Sequence, residues 1–208
     1  MHDPRTPRAD DPILNEWFPV ATVSDVAPGS RYPFDLLGDR YLLVNSKDGV
    51  ALVVRDTCPH RGAQLSLGTF DGCRIACPYH GWEFDTAGRC VLQPAQPALD
   101  PPRLADLTPV AVAQAYGLYW VCLGPESRNV PRYPAFDEHP GLSVYLGPER
   151  LGSTGPRIVE NFLDMAHFPY VHTGFLGETS HTEVRRYEVA TVDGELWATE
   201  CMFWQPRP

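Results

Sequence analysis

The sequence predicts a mainly β protein whose second part turns α+β: a small antiparallel barrel or sandwich first, then a helix followed by further strands. Three observations predict it. Short β-type runs separated by turn signals fill the stretch from Trp17 to Leu123, two proline-rich stretches interrupt that pattern, and helical composition begins only beyond the second of them. The runs are Trp17 to Val23, Tyr41 to Val44, Val50 to Arg55, Trp82 to Phe84, Val110 to Ala115 and Leu118 to Leu123. Lys47-Asp48-Gly49, Thr86-Ala87-Gly88 and the lone Gly117 lie between paired runs and read as hairpin turns. Pro94 to Pro109 and Pro125 to Pro148 cannot donate regular ladder bonds at their prolines and read as loop or linker. The second stretch marks the domain boundary, which divides the chain into 14–124, 125–148 and 149–208. Gly155-Pro156 then puts a proline at a helix start, opening a helix over Arg157 to His167. Glu183 to Ala190 and Glu195 to Trp204 read as two more strands around an Asp193-Gly194 turn.

With 208 residues, 43% of them hydrophobic, the chain can bury a core of its own. Its longest apolar stretches are strand-sized, and Met1 to Asp11 is polar and proline-rich, so neither export nor membrane insertion is indicated. Six cysteines without an export signal point to a reducing compartment, the cytoplasm, where thiols serve as metal ligands or small buried hydrophobes. A formal charge of -9 gives no reason to approach phosphate backbones or anionic lipid. Nucleic acid and membrane are thereby disfavoured as partners, and room is left for a basic docking protein.

Two Cys/His pairs carry the chemistry. Cys58-Pro59-His60-Arg61-Gly62 is followed, after the 16 residues from Arg61 to Ala76, by Cys77-Pro78-Tyr79-His80-Gly81-Trp82. A [2Fe–2S] cluster of the Rieske type needs two thiolates on one iron and two imidazoles on the other, so each of two loops must deliver one sulfur and one nitrogen. Cys-x-His and Cys-x-x-His do this, and Gly62 and Gly81 would permit the tight turns that bring backbone N–H groups towards the sulfurs. Taken singly such residues are commonly core residues, but here both halves have matching Pro and Gly neighbours. Zinc is the stronger rival. It accepts two Cys and two His, though its usual spacing pairs Cys with Cys and His with His, which Cys-x-His fits poorly.

These residues resemble the Rieske family, and the departures within the resemblance narrow it. Rieske proteins of cytochrome bc complexes carry an extra cysteine in each loop, joined as a disulfide; the matching positions here are Ala63 and Tyr79. Those proteins have a serine after the second His-Gly, where this chain has Trp82. Both differences place the chain with the oxygenases and small Rieske ferredoxins, in the lower part of the potential range.

A second constellation follows in Glu160-Asn161-Phe162-Leu163-Asp164-Met165-Ala166-His167-Phe168-Pro169-Tyr170-Val171-His172. Asn161, Asp164 and His167 recur every third residue, so on a helix they fall within an arc of about 120°. Ile158, Val159, Phe162 and Met165 are apolar around that stripe, which predicts a packed helix with its polar groups turned inward. Pro169 is poorly tolerated inside a helix, so the backbone is expected to leave regular geometry between the two histidines and bring His172 round beside His167. Two histidines and one carboxylate on one face of Fe(II) are the ligand set of non-haem iron oxygenases. A helix-end histidine pair with a solvated aspartate is the plainer reading.

The segment resembles the mononuclear-iron motif of Rieske oxygenase α subunits, and the resemblance runs from Trp17 to about Trp204. Among single-subunit members it is nearest to those acting on heterocycles and substituted aromatics, as Tyr116-Gly117-Leu118-Tyr119-Trp120-Val121-Cys122-Leu123-Gly124 and Gly174-Phe175-Leu176-Gly177 support. It implies a Rieske domain followed by the start of a helix-grip catalytic domain, with His167 and His172 as iron ligands. It implies that Asp164 hydrogen-bonds the Rieske histidine His80 of a neighbouring subunit in a head-to-tail homotrimer. It also implies electrons from an NAD(P)H-dependent reductase or ferredoxin, O₂ as oxidant, and an aromatic or heterocyclic substrate that is hydroxylated or oxidatively demethylated. The family's third iron ligand is an aspartate on a helix further downstream. Glu178, Glu183, Glu188, Asp193, Glu195 and Glu200 follow His172 without matching it and read as surface acids. An end at Gln205-Pro206-Arg207-Pro208, straight after apolar Met202, Phe203 and Trp204, is expected of a fragment. A pure electron carrier would need nothing beyond about Leu123, and a catalytically inactive remnant is the third alternative. His139 and His181 read as surface residues, and Cys73, Cys90, Cys122 and Cys201 as buried small hydrophobes.

Overall fold

In the computed structural model, residues 8, 10–125, 129–139, 141, 144–145, 151–192 and 195–206 are described, and the chain forms two compact units, Met1–Tyr145 and Leu146–Pro208. The first unit is built on a six-stranded antiparallel sheet. Its strands are β1 (Trp17–Thr22), β2 (Ser30–Leu36), β3 (Asp39–Asn45), β4 (Ala51–Arg55) and, after a long excursion, β9 (Pro109–Ala115) and β10 (Leu118–Cys122). They lie in the order β1-β10-β9-β4-β3-β2. The excursion between β4 and β9 contains a second, four-stranded antiparallel sheet of short strands: β5 (Thr69–Phe70), β6 (Arg74–Ala76), β7 (Glu83–Asp85) and β8 (Cys90–Leu92).

The runs Tyr41 to Val44 and Leu52 to Val54 are continuously apolar because β3 and β4 are buried on both faces. Side chains alternate across a strand, and here each parity has its own core. Leu42, Val44, Leu52 and Val54 join Leu65, Ile75, Phe84 and the ligand candidates Cys58 and Cys77 on one side. Tyr41, Leu43 and Val53 join Val26, Phe34, Tyr119 and Val121 on the other. The metal-ligand candidates therefore rest on a packed core, not on a mobile surface.

Four strands differ from the expectation. β2 was not foreseen because Ser30, Pro33 and Asp35 look like turn residues, but β2 is the edge of its sheet, where a proline costs no ladder bond that the fold needs. β5, β6 and β8 have two or three residues each, too short for alternation to register. The expected hairpins do form: Gly49 N–H donates to Ser46 O at 2.9 Å and Gly88 N–H to Asp85 O at 3.0 Å. Tyr116 and Gly117 both take positive φ, 56° and 72°, in the two-residue loop between β9 and β10. Tyr116 is held in that strained conformation from within the proline-rich stretch. Its hydroxyl accepts from Tyr133 N–H, its carbonyl accepts from the Tyr145 hydroxyl, and its ring meets Tyr133 and Phe136 edge-on. A short helix, α1 (Pro134–Glu138), lies in the same stretch.

The second unit holds α2 (Gly155–Leu163), a single-turn α3 (Phe168–Val171) and an antiparallel pair, β11 (Glu188–Val192) and β12 (Glu195–Thr199). The two expected strands are thus present, displaced and shortened at their ends, while the Asp193-Gly194 turn lies outside the described residues. α2 is amphipathic but has no buried residue; Phe162 is 82% exposed. The expectation of a packed helix is not met within this unit. No helix among the described residues is long and apolar enough to cross a membrane.

One buried charge anchors the excursion. Asp56 directly follows β4 with its side chain wholly buried; its carboxylate accepts from Ser66 N–H at 2.7 Å and Ser66 Oγ–H at 2.5 Å, and Arg40 Nε stands 3.3 Å away. Its three donors offset the cost of burying the carboxylate and tie the two ends of the Cys58 loop together. Asp56→Ala should cost about 2–4 kcal/mol of stability, as two charge-assisted bonds and the Arg40 contact are lost and the Ser66 donors are left unpaired. Thermal unfolding of the two proteins side by side checks this, and an unchanged midpoint would show that the loop is anchored elsewhere.

Candidate metal centres

The first centre is made by two loops of the same construction. Cys58 N–H donates to Ala63 O at 2.8 Å and Gly62 N–H to Cys58 O at 2.9 Å; Cys77 N–H donates to Trp82 O at 2.8 Å and Gly81 N–H to Cys77 O at 3.1 Å. Both glycines stand in the left-handed region, at φ 73° and 69°, which a side chain would disfavour. Each loop so closed presents its cysteine inward and its histidine outward. Cys58 and Cys77 are 2% and 4% exposed, while His60 is half-buried and His80 exposed. The imidazoles meet edge-on with centroids 4.6 Å apart.

The electrostatics suit a metal-bound thiolate pair. Burial pushes the Cys58 thiol up to about 11 and the neighbouring Cys77 adds to this, while the backbone N–H groups of His60 and Arg61 pull it back down. Without a cation the Cys58 sulfur stays protonated; with one it ionises, and the N–H groups are in place to stabilise the charge. Partial desolvation, then the positive charge of His80 and Arg61, holds the His60 imidazole below its ordinary value and so in the neutral form a metal needs. Among the described residues no three His, Cys, Asp or Glu side chains converge on one point. The four candidates stand as a sulfur pair and an imidazole pair, which suits two irons bridged by sulfide better than one tetrahedral zinc. The donor set therefore fits the expected cluster.

The second constellation is arranged differently from the expectation. Asp164, His167 and Asn161 do not share one helix face, because α2 ends at Leu163 and Asp164 is its C-cap, with extended φ −84° and ψ 124°. The aspartate itself supplies the reason: its Oδ1 accepts from Ala166 N–H at 2.8 Å, a local bond that competes with helix continuation. Pro169 then sits in the first turn of α3, where a missing N–H is harmless. His167 and His172 flank that single turn, with ring centroids 5.2 Å apart. Asp164 Oδ2 lies 3.0 Å from His167 Nδ1. Backbone N–H donation from Ala166, then the His167 ring, hold the Asp164 carboxyl below the usual range, so it is ionised at neutral pH. An ionised acceptor at Nδ1 places the proton there and leaves Nε2 of His167 as the free nitrogen.

Other candidates fall away or change. Among the described residues no acid joins His167 and His172 as a third ligand; Asp193 and the side chain of Glu195 lie outside them. His181 stacks on Trp204 at 4.1 Å and bonds Ser180 Oγ at 2.9 Å, and His139 is exposed just past α1. Cys90 and Cys122 are buried as expected, but Cys73 and Cys201 are exposed. Cys73 sits in a turn capped by Asp71, where the backbone leads the side chain outward. Sequence reasoning did not anticipate Asp56; only its place just before the first ligand loop hinted at a role.

Comparisons with known proteins bear on the family. Residues 16–112 match the Rieske [2Fe-2S] domain and residues 153–207 the vanillate O-demethylase oxygenase C-terminal domain. The chain is 35% identical to methylxanthine N1-demethylase NdmA of Pseudomonas putida over 173 residues, which is 80% of this chain and 49% of that protein. It spans about half the length of that relative. The solved structure of Pseudomonas putida NdmA with caffeine superposes with a TM-score of 0.78 at 32% identity, over 89% of this chain and 56% of that one. Dicamba monooxygenase bound to dicamba gives 0.77 at 27% identity, over 89% and 56%. A Rieske cluster domain and an oxygenase C-terminal domain, matched in that order on one chain, place this protein in the Rieske oxygenase family.

Proposed function

We propose that the chain belongs to the terminal component of a Rieske non-haem iron oxygenase that hydroxylates or oxidatively demethylates a small aromatic or heterocyclic molecule. Cys58 and Cys77 hold one iron of the [2Fe–2S] cluster and His60 and His80 the other, while His167 and His172 hold Fe(II). The cluster supplies single electrons, received from an NAD(P)H-dependent reductase or ferredoxin, and the Fe(II) supplies a site for O₂ beside the substrate. The single observation that carries this reading is the paired His167 and His172 rings, with Asp164 fixing which nitrogen of His167 is free. An electron carrier has no use for such a pair.

The residues perform distinct tasks. The two closed loops orient sulfur and nitrogen before any metal arrives, so little ordering remains for binding. Asp164 orients His167 and, in a homotrimer, receives the N–H of His80 from a neighbouring copy. The cleft beside it, about 390 Å³ with Glu160, Val184 and Tyr187 on its walls, has room for an imidazole. A cytoplasmic setting, where thiols stay reduced and can serve as metal ligands, suits cysteines used in this way. A cluster-only electron carrier is the second reading, favoured by the lack of a third ligand at His167 and His172 among the described residues.

Reconstituted protein should hold two irons and two acid-labile sulfides at the first centre, and its reduced form should show the EPR of a cluster with two nitrogen ligands. His60→Cys or His80→Cys should move the g-values towards those of all-thiolate ferredoxins. Zinc without labile sulfide would refute the assignment. In a form that turns over substrate, Asp164→Asn should leave both metal centres filled and slow oxidation by about 10- to 100-fold. Unchanged turnover would mean that electrons take another route, and loss of mononuclear iron would make Asp164 a ligand instead.

A further inference from the structure

The two ligand loops are joined by more than their cysteines. Trp82 belongs to the second loop, where its carbonyl accepts from Cys77 N–H at 2.8 Å, yet its indole lies on a residue of the first. The rings of Trp82 and His60 are 4.5 Å apart and within 2° of parallel. The indole also packs against the core that contains Cys58 and Cys77. Among the described residues the rings beside His80 lie at similar distances but are tilted to it. Its ring meets His60 at 61° and Tyr79 at 40°, and Tyr79 is itself 65% exposed. One imidazole is held flat against a core-anchored surface; the other is flanked by groups open to solvent.

We propose that Trp82 is a positioning residue that fixes the ring plane of His60 and leaves His80 as the adjustable ligand of the pair. The inference rests on the reading of Cys58, His60, Cys77 and His80 as cluster ligands. Two rings in parallel contact cannot tilt independently, because any rotation of the imidazole drives one edge into the indole and lifts the other out of contact. The indole also offers His60 the negative face of its quadrupole. A negative face favours the ligand set in its more positive, oxidised state, so the stack holds the reduction potential down. The division of labour suits a centre that must keep its geometry while one ligand meets a group from outside: the clamped histidine maintains the coordination and the exposed one makes the contact.

The test compares the full chain as wild type, Trp82→Phe and Trp82→Leu, each reconstituted with iron and sulfide. Phenylalanine keeps a flat π face, whereas leucine keeps apolar bulk against the core without one. Midpoint potentials and the nitrogen hyperfine couplings of the reduced form are measured. Trp82→Leu should raise the potential and alter the coupling of one nitrogen, the one that disappears in His60→Cys, while Trp82→Phe stays close to wild type in both. Leucine and phenylalanine variants that behave alike, or a leucine variant with unaltered couplings and potential, would overturn the clamp. Should the leucine variant not take up a cluster, Trp82→Met serves the same comparison with the same two outcomes. A wild-type protein without a two-nitrogen signal would instead refute the ligand reading, which keeps the two failures apart.

Discussion

The first unit is organised around the placement of two sulfur atoms in a hydrophobic core. Cys58 and Cys77 are packed among Leu42, Val54, Leu65, Ile75 and Phe84, between the six-stranded sheet and the small four-stranded one. Burying two ionisable thiols side by side is unfavourable unless a cation compensates them, and the thiol of Cys58 is raised accordingly. The surroundings then follow as means of holding that pair: two loops with the same closing bonds, glycines where the chain must turn through positive φ, and Asp56 tying the first loop at its base. The small sheet exists to carry the second loop, since β6 leads into Cys77 and β7 receives the chain after Trp82.

The second unit is governed by a different competition. A carboxylate one residue past a helix can bond the backbone ahead of it, and Asp164 does so through Ala166 N–H while its other oxygen meets His167. That local bond ends α2, sets the direction of the chain into α3, and fixes the tautomer of one proposed iron ligand. Here the histidine pair lies in a unit whose helix exposes Phe162 and Val159, whereas the cysteines of the first centre are packed in a core. The candidate ligands are preorganised in both, but by core packing in the one and by local hydrogen bonds in the other.

Several strands were legible only in part, for reasons specific to each. Tyr41 to Val44 and Val50 to Arg55 were visible because strands buried on both faces are apolar without interruption. Ser30–Leu36 was hidden by a proline that an edge strand tolerates, and the short strands around the second ligand loop are held by pairing and by the core, not by composition. By its lack of donors the proline-rich stretch reads as a linker. Its aromatic residues Tyr133, Phe136 and Tyr145 nevertheless bind the tip of the β9–β10 hairpin, a contact that depends on residues distant in sequence.

By itself the sequence determined the candidate ligands: which sulfurs and imidazoles are offered, in what spacing, and with glycines at the turns, because residue identity and loop length are local properties of the chain. It also determined the division into a β part and a later helical part, through alternation and the placement of prolines. The tertiary structure alone decided that Asp164 leaves the helix, that Asp56 anchors the first loop, and that Trp82 of one loop lies on His60 of the other. Each of these is a contact whose energy arises only when distant or competing groups are brought together. A carboxylate accepts from whichever donor the fold presents, and a ring stacks on whichever ring the fold places beneath it; neither choice is written in spacing or composition.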